Sequence, residues 1–89
     1  MLYWLEIGSK VRRQIERLPG HLHRRVKRTI AALCENPRPA FAQELRDRPG
    51  RFRIQIDSDC RIFYRINEEQ LVVLVLRGGK KKGPEFYDE

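Results

Sequence analysis

Residues 51–66 read RFRIQIDSDCRIFYRI, and this stretch decides the fold. In its first half Phe52, Ile54 and Ile56 occupy every second position, and the residues before and between them are polar or cationic. Side chains of a strand point alternately to the two faces of a sheet, so this half predicts a strand with one apolar and one cationic face. The second half repeats the alternation after a turn-forming segment at 57–59, which predicts an antiparallel hairpin.

The hairpin is expected to continue into a third strand at residues 71–77. This run is apolar on both faces as far as Leu76, which predicts a position inside the sheet. The three strands then form an antiparallel meander, and residues 38–50, which contain several Pro, Arg and Gly, form a connecting loop. A short aromatic segment at 2–7 predicts one more strand at the beginning of the chain.

Two amphipathic helices are predicted between the first strand and the loop. An apolar repeat at helical spacing follows Ser9, a residue suited to cap a helix, and a second repeat predicts a longer helix at about residues 21–35. The expected fold class is α+β, with a helical hairpin at about 9–36 on one face of a four-stranded sheet from residues 2–7 and 51–77. A basic and aromatic tail follows at 78–89, and residues 1–89 are expected to form a single domain.

The amino-acid composition limits the classes of protein to which this chain can belong. The 89 residues suffice for one core, and 40% are hydrophobic without any run near the roughly 18 apolar residues of a membrane span. Residues 1–6 lack a basic leader, so we expect a cytoplasmic protein. Cys34 and Cys60 fall at apolar periodic positions without a metal-ligand spacing, which predicts two core thiols, no metal and no cofactor.

The formal net charge of +7 is unevenly distributed. Residues 9–38 hold nine Lys or Arg against two acids, whereas residues 39–89 hold ten against nine. The helices therefore carry the excess, and the domain is expected to attract a polyanion, which could be nucleic acid, an acidic protein segment or anionic lipid.

Cationic side chains are also predicted to gather on the exposed face of the sheet. Antiparallel pairing places Arg53 and Arg61 on the same face, and the last strand leads to three consecutive lysines at 80–82 and then to Tyr87. Guanidinium groups match phosphate oxygens and an aromatic ring can stack an unpaired base, so single-stranded RNA fits these groups best. The alternative is an ordinary solvated surface, since Arg and Lys are common outside a sheet.

The order of these motifs resembles the RelE/ParE toxin superfamily of bacterial and archaeal type II toxin–antitoxin modules. The resemblance covers nearly the whole chain and rests on Arg17-Leu18-Pro19, the segments 33–37, 51–54 and 60–66, Gly79-Lys80-Lys81, and Tyr87. The succession of these motifs favours the RelE-like branch. It implies a fold similar to that of microbial ribonucleases.

RelE-like toxins cleave messenger RNA in the A site of the small (30S) ribosomal subunit without a metal ion, by attack of a ribose 2′-hydroxyl on the adjacent phosphate. Carried over residue by residue, the resemblance implies that Arg61 stabilises the transition state, Lys81 is the general acid and Tyr87 lies beside the nucleotide. Arg53 matches a family lysine that binds phosphate. The expected RNA- or phosphate-binding residues are Arg51, Arg53, Gln55, Arg65, Arg77, Lys80 and Lys82.

Gln55 departs from the family pattern. It aligns with the lysine proposed as general base in the founding member, and an amide cannot accept the proton. We expect a lysine of the 80–82 run to take this role, because crowded ammonium groups disfavour one another's charged form, and Tyr87 is the alternative. His21 and His23 are the usual competitors in a ribonuclease, but they project from different sides of a helix and are expected to be solvated.

The expected partners are a small acidic, RelB-like antitoxin that wraps the basic helices, and the ribosome with its messenger and ribosomal RNA. Two other functions stay open. A ParE-like inhibitor of DNA gyrase would share the fold but have a protein target, and an RNA-binding module would lack catalysis. Retention of Arg61, Lys81 and Tyr87 argues against the gyrase inhibitor, whereas Gln55 argues for it.

Overall fold

The computed structural model describes residues 2–80, and for Lys80 the backbone alone. The elements in chain order are β1 (Trp4–Ile7), α1 (Ser9–Glu16), α2 (Gly20–Glu35), β2 (Gln43–Glu44), β3 (Arg51–Gln55), β4 (Cys60–Asn67) and β5 (Val72–Lys80). Both helices pack on the sheet, chiefly against β5, which confirms the predicted α+β class. Within residues 2–80 there is no helix with the length and apolar character needed to cross a membrane.

The sheet has five strands in the order β1-β5-β4-β3-β2, one more than predicted. The additional strand, β2, lies inside the expected loop 38–50 and pairs with Arg53 and Phe52 of β3. A strand of two residues is too short to show an alternating pattern, so no local pattern indicates it. β5 also continues to Lys80, because Gly78 and Gly79 remain in the ladder with β4.

The sheet is mixed and not wholly antiparallel. β1 runs parallel to β5, with Trp4 opposite Val72 and Ile7 opposite Val75. β5 therefore lies between β1 and β4, which confirms the interior position expected for its apolar run.

One core fills the space between the helices and the sheet. Its helical members are Ile15, Leu22, Val26, Ile30 and Leu33, and its strand members include Ile54, Ile62, Tyr64, Val73 and Val75. The Tyr64 ring stacks on Phe52 with 5.4 Å between ring centroids, and its hydroxyl donates a hydrogen bond of 2.8 Å to the Pro37 carbonyl. Burial raises the pKa of Tyr64 to about 12. This side chain thus connects β4 to the segment that follows α2.

Two local predictions need correction. Ser9 is the first residue of α1 and makes no capping bond, since Gly8 occupies the N-cap position. The two cysteines are free, and Cys60 is fully buried, but Cys34 is only partly buried. Burial raises the pKa of the Cys34 thiol, and the nearby Glu35 carboxylate adds to that effect.

Candidate active site

The face of the sheet turned away from the helices, called here the outer sheet face, collects the predicted cations. Residues paired across neighbouring strands project to the same side, and the register arranges them in three rows. The rows across β3, β4 and β5 are Arg51–Arg65–Leu74, Arg53–Phe63–Arg77 and Gln55–Arg61–Gly79. Rows lie roughly 7 Å apart, because a strand rises about 3.4 Å per residue. Six predicted site residues therefore share one surface.

A β-bulge brings Arg77 to this surface. Val75 pairs with Tyr64 and Arg77 pairs with Phe63, so Leu76 is one extra residue in β5. Val75 faces the core, and strict alternation would direct residue 77 there as well. The extra residue shifts the phase, which places Arg77 beside Phe63 and turns Gly78 towards Ile15 of α1.

The Arg61 guanidinium is held by Gln55. Its Nε donates a hydrogen bond of 2.9 Å to Gln55 Oε1, and Gln55 Nε2 donates in turn to the backbone carbonyl of Asp57. Arg61 is partly buried, and its pairing across β3 and β4 fixes the height of the side chain on the sheet. Gln55 therefore orients the residue to which the family resemblance assigns transition-state stabilisation.

Arg53 and Phe63, two members of the middle row, border a shallow cleft of about 250 Å³. Its other wall is the loop segment Leu45, Arg46, Asp47 and Arg48. Phe63 is on the outer face as expected but only 3% exposed, because it lies at the bottom of the sheet–loop junction and not in solvent. Arg53 Nη2 donates a hydrogen bond of 2.5 Å to Gln43 Oε1 of β2.

The cleft shows what the sequence analysis missed. Arg46 and Arg48 belong to the connecting loop predicted at 38–50, and the structure brings them to the same cleft as Arg53. The Arg46-Asp47-Arg48 run of alternating charge just before a cationic strand was the available signal, but nothing local indicates that the loop folds back over Phe63.

The remaining predicted residues lie partly or wholly outside the described part of the chain. The backbone of Lys80 pairs with Cys60 at the end of β5, and Lys81, Lys82 and Tyr87 are outside the described residues. His21 is exposed and His23 partly exposed, as expected, and both belong to α2 on the opposite side of the sheet. Within residues 2–80 no group of three or more His, Cys, Asp or Glu could hold a metal ion.

This geometry agrees with comparisons to known proteins. A family model described as the ParE toxin of the type II toxin–antitoxin system parDE matches residues 5–82. The chain belongs to this family. Its match spans all the described strands and helices except the first residue of β1, so it includes both helices and the strands that form the outer sheet face.

Relatives within the superfamily carry the name RelE. The mRNA interferase toxin RelE of Escherichia coli is 28% identical over 90 residues, covering 100% of this chain and 94% of the relative. A free-state mutant of the E. coli toxin RelE superposes with a TM-score of 0.81 at 27% identity, covering 100% of this chain and 94% of that one. RelE in the intact E. coli RelBE toxin–antitoxin complex gives a TM-score of 0.77 at 25% identity, with coverage of 90% and 98%. These matches confirm the RelE-like branch that the motif order favoured.

Several guanidinium groups on one rigid face can bind and polarise phosphates. An arginine offers a planar fork of donors that matches two phosphate oxygens, and it stays charged at any physiological pH. With Arg61 fixed by Gln55 and flanked by Arg53 and Arg77 one row away, the surface is suited to a phosphodiester whose negative charge increases during reaction.

Proposed function

We propose that this chain is the toxin of a type II toxin–antitoxin system and acts in the cytoplasm as a metal-independent endoribonuclease on ribosome-bound messenger RNA. The observation that carries the proposal is the oriented Arg61 among guanidinium groups on the outer sheet face. Full-length similarity to a protein named mRNA interferase toxin RelE supports it.

In this proposal the ribose 2′-oxygen attacks the neighbouring phosphorus, a base takes the 2′-proton, and the bond to the 5′-oxygen of the next nucleotide breaks. The products are a 2′,3′-cyclic phosphate and a 5′-hydroxyl, which receives its proton from Lys81. Arg61 stabilises the charge that develops on the phosphate oxygens, and Tyr87 lies beside the nucleotide. Because Gln55 cannot take up a proton, a second lysine of the 80–82 run, Lys80 or Lys82, serves as the base.

The partners follow from the same proposal. The ribosomal A site supplies messenger RNA next to ribosomal RNA, and Arg51, Arg65, Lys80 and Lys82 bind phosphates along the strand. A small acidic, RelB-like antitoxin neutralises the chain between periods of activity. RelE is bound to an antitoxin in the intact E. coli RelBE complex, which supports this assignment.

The decisive experiment maps messenger RNA ends. Purified protein is added to cell-free translation, with and without ribosomes, and the 3′ ends are sequenced for the parent and for Tyr87→Phe and Arg61→Ala. We expect cuts that require ribosomes, end in a cyclic phosphate and decline in both variants. Intact messenger RNA with the parent protein would contradict the proposal.

A ParE-like inhibitor of DNA gyrase is the second candidate, because the matching family model carries the ParE name and Gln55 replaces a catalytic lysine. It predicts gyrase-dependent DNA breaks and intact messenger RNA in the same assays. A non-catalytic RNA-binding module would bind RNA with a log–log salt slope of about −0.7 per phosphate and leave no cut ends.

A further inference from the structure

The helical hairpin carries a second cationic surface. It consists of exposed side chains from α1 and its C-cap and from α2, namely Lys10, Arg13, Arg17, Arg24, Lys27 and Arg28. We call these six residues the hairpin basic face. The helices bury their apolar stripes against the sheet, so this face and the outer sheet face lie on opposite sides of a body measuring 33 × 28 × 25 Å. One nucleotide cannot reach both surfaces.

Local electrostatics oppose this arrangement of charges. Arg24, Lys27 and Arg28 are neighbours at helical spacing, and like charges at that spacing destabilise a helix. Of the six, only Lys10 lies in the first turn of a helix, where the dipole disfavours a cation, whereas Arg13 lies in the last turn of α1, where the dipole favours one. The ion pair between Arg38 and Glu68 lies away from this face. A polyanion bound here would relieve the repulsion.

The surrounding side chains select the class of polyanion. Neither helix contains Phe, Tyr or Trp, and the large apolar side chains exposed in residues 2–80 are Leu2, Trp4, Leu5 and Phe41, all outside the helices. A protein partner needs aromatic or aliphatic anchors, which disfavours this face for the acidic antitoxin expected to wrap the basic helices, and unpaired RNA needs rings on which bases stack. Double-helical RNA needs neither, because it is recognised mainly through its shape, phosphates and 2′-hydroxyls.

We propose that the hairpin basic face docks on the phosphate backbone of double-helical RNA. The inference deepens the proposed function and rests on it for its biological setting: the outer sheet face acts on a single strand while the hairpin grips a structured RNA next to it. Docking requires positive charge but no particular cation, whereas the reaction requires the oriented guanidinium of Arg61.

The test removes charge from the middle of the face. The triple variant Arg24→Gln, Lys27→Gln, Arg28→Gln keeps residues that favour helices. Binding is measured by fluorescence anisotropy with a duplex of about 16 base pairs, carrying 2′-O-methyl riboses to prevent cleavage, between about 50 and 200 mM salt. We expect the magnitude of the log–log salt slope to fall by about 1 for each lost contact, and the affinity near 0.15 M salt to fall about tenfold or more.

Two control variants test whether duplex binding depends on positive charge at the hairpin basic face and not on the outer sheet face. Arg24→Lys, Lys27→Arg, Arg28→Lys keeps the charge and should bind the duplex like the parent. Arg61→Ala should bind the duplex like the parent but cleave slowly. On translating ribosomes, the triple Gln variant should show a raised KM with unchanged kcat, and its melting temperature should equal or exceed that of the parent, because repulsion is removed.

Parent-like duplex binding by the triple Gln variant would overturn the proposal. The proposal would also be overturned if the triple Gln variant lost binding of poly-glutamate but kept binding of the duplex, because the face would then be assigned to an acidic protein. If the parent fails to cleave ribosome-bound messenger RNA while the variants bind the duplex as expected, that result contradicts the proposed function but supports the docking of double-helical RNA on the hairpin basic face.

Discussion

Gln55 accepts a hydrogen bond of 2.9 Å from Arg61 Nε across the β3–β4 pair, and its amide nitrogen is anchored on the Asp57 carbonyl. The residue that departs from the family's catalytic pattern thus has a structural task at the same site. A carboxamide cannot remove a proton, but it fixes the direction of the guanidinium beside it. The expected consequence is a separation of roles, with orientation supplied by β3 and proton transfer supplied by lysines at and beyond the end of β5.

Removal of the Gln55 acceptor should slow the chemical step. Gln55→Met keeps the length of the side chain but cannot hold Arg61, and a small displacement of a catalytic group can reduce the rate by up to about 10²-fold. We expect kcat for ribosomal messenger RNA to fall while KM changes little, measured by single-turnover cleavage. Gln55→Glu keeps an acceptor and should retain more of kcat, although its carboxylate repels the substrate and raises KM. A parent-like kcat for Gln55→Met would show that Arg61 needs no such support.

Arg61 should matter more for the reaction than the other outer-face arginines. Arg61→Ala removes a donor aimed at developing charge, and such losses cost about 10²–10³ in kcat. Arg61→Lys should recover only part of the rate, because an ammonium group lacks the planar fork. Arg65→Ala, on the same strand and more exposed, is the comparison and should chiefly raise KM. Equal losses of kcat in Arg61→Ala and Arg65→Ala would reject the assignment of roles.

One lysine of the 80–82 run should act as the base. Single Ala substitutions of Lys80 and Lys82 are compared by cleavage rate across pH, with Lys81→Ala as the variant that removes the proposed acid, and one of the first two should lower the rate by about 10²-fold, a usual size for acid–base catalysis. The same variant should lose one limb of the pH–rate profile. Parent rates for both Lys80→Ala and Lys82→Ala would leave Tyr87 as the candidate base.

Gly78 should be intolerant of a side chain. A Cβ at this position would lie 3.2 Å from Cγ1 and 3.3 Å from Cδ1 of the buried Ile15, so in Gly78→Ala the Ile15 side chain must move by a few tenths of an ångström within a packed core. Overpacking of this kind typically costs about 1–3 kcal/mol of unfolding free energy, measurable by urea denaturation. Gly20→Ala is the control, since its Cβ meets only the flexible end of Arg24 at 3.7 Å and alanine favours a helix. The idea fails if the two variants are equally stable.

Tyr64 should make the fold sensitive to alkali. Its folded-state pKa of about 12 exceeds the ordinary value of 10.0, so the protonated phenol contributes stability that is complete below about pH 10 and declines as the pH rises towards 12. The unfolding free energy of the parent should fall across this window. Tyr64→Phe should lack that component of the decline, although it loses the hydrogen bond to Pro37, worth about 1 kcal/mol. Identical pH dependence of the two proteins would contradict the assignment.

The sequence was most informative where a pattern is local. The alternation of Phe52 and Ile54 with Arg51 and Arg53 predicted both faces of β3 correctly, because the side-chain direction of a strand has a period of two. It was least informative where a distant segment intervenes. β2 exists only because Gln43 and Glu44 meet the edge of β3, and neither residue signals a strand by itself.

Charge distribution, strand faces, helix positions and the motif order were thus determined by the amino-acid sequence, since each depends on neighbours within a few residues. The tertiary structure decided the parallel pairing of β1 with β5, the burial of Phe63 under the 45–48 loop and the support of Arg61 by Gln55. It also decided the outward position of Arg77, because one extra residue in β5 reverses the phase of the strand. These features arise from contacts between segments far apart in the chain, and no local periodicity encodes them.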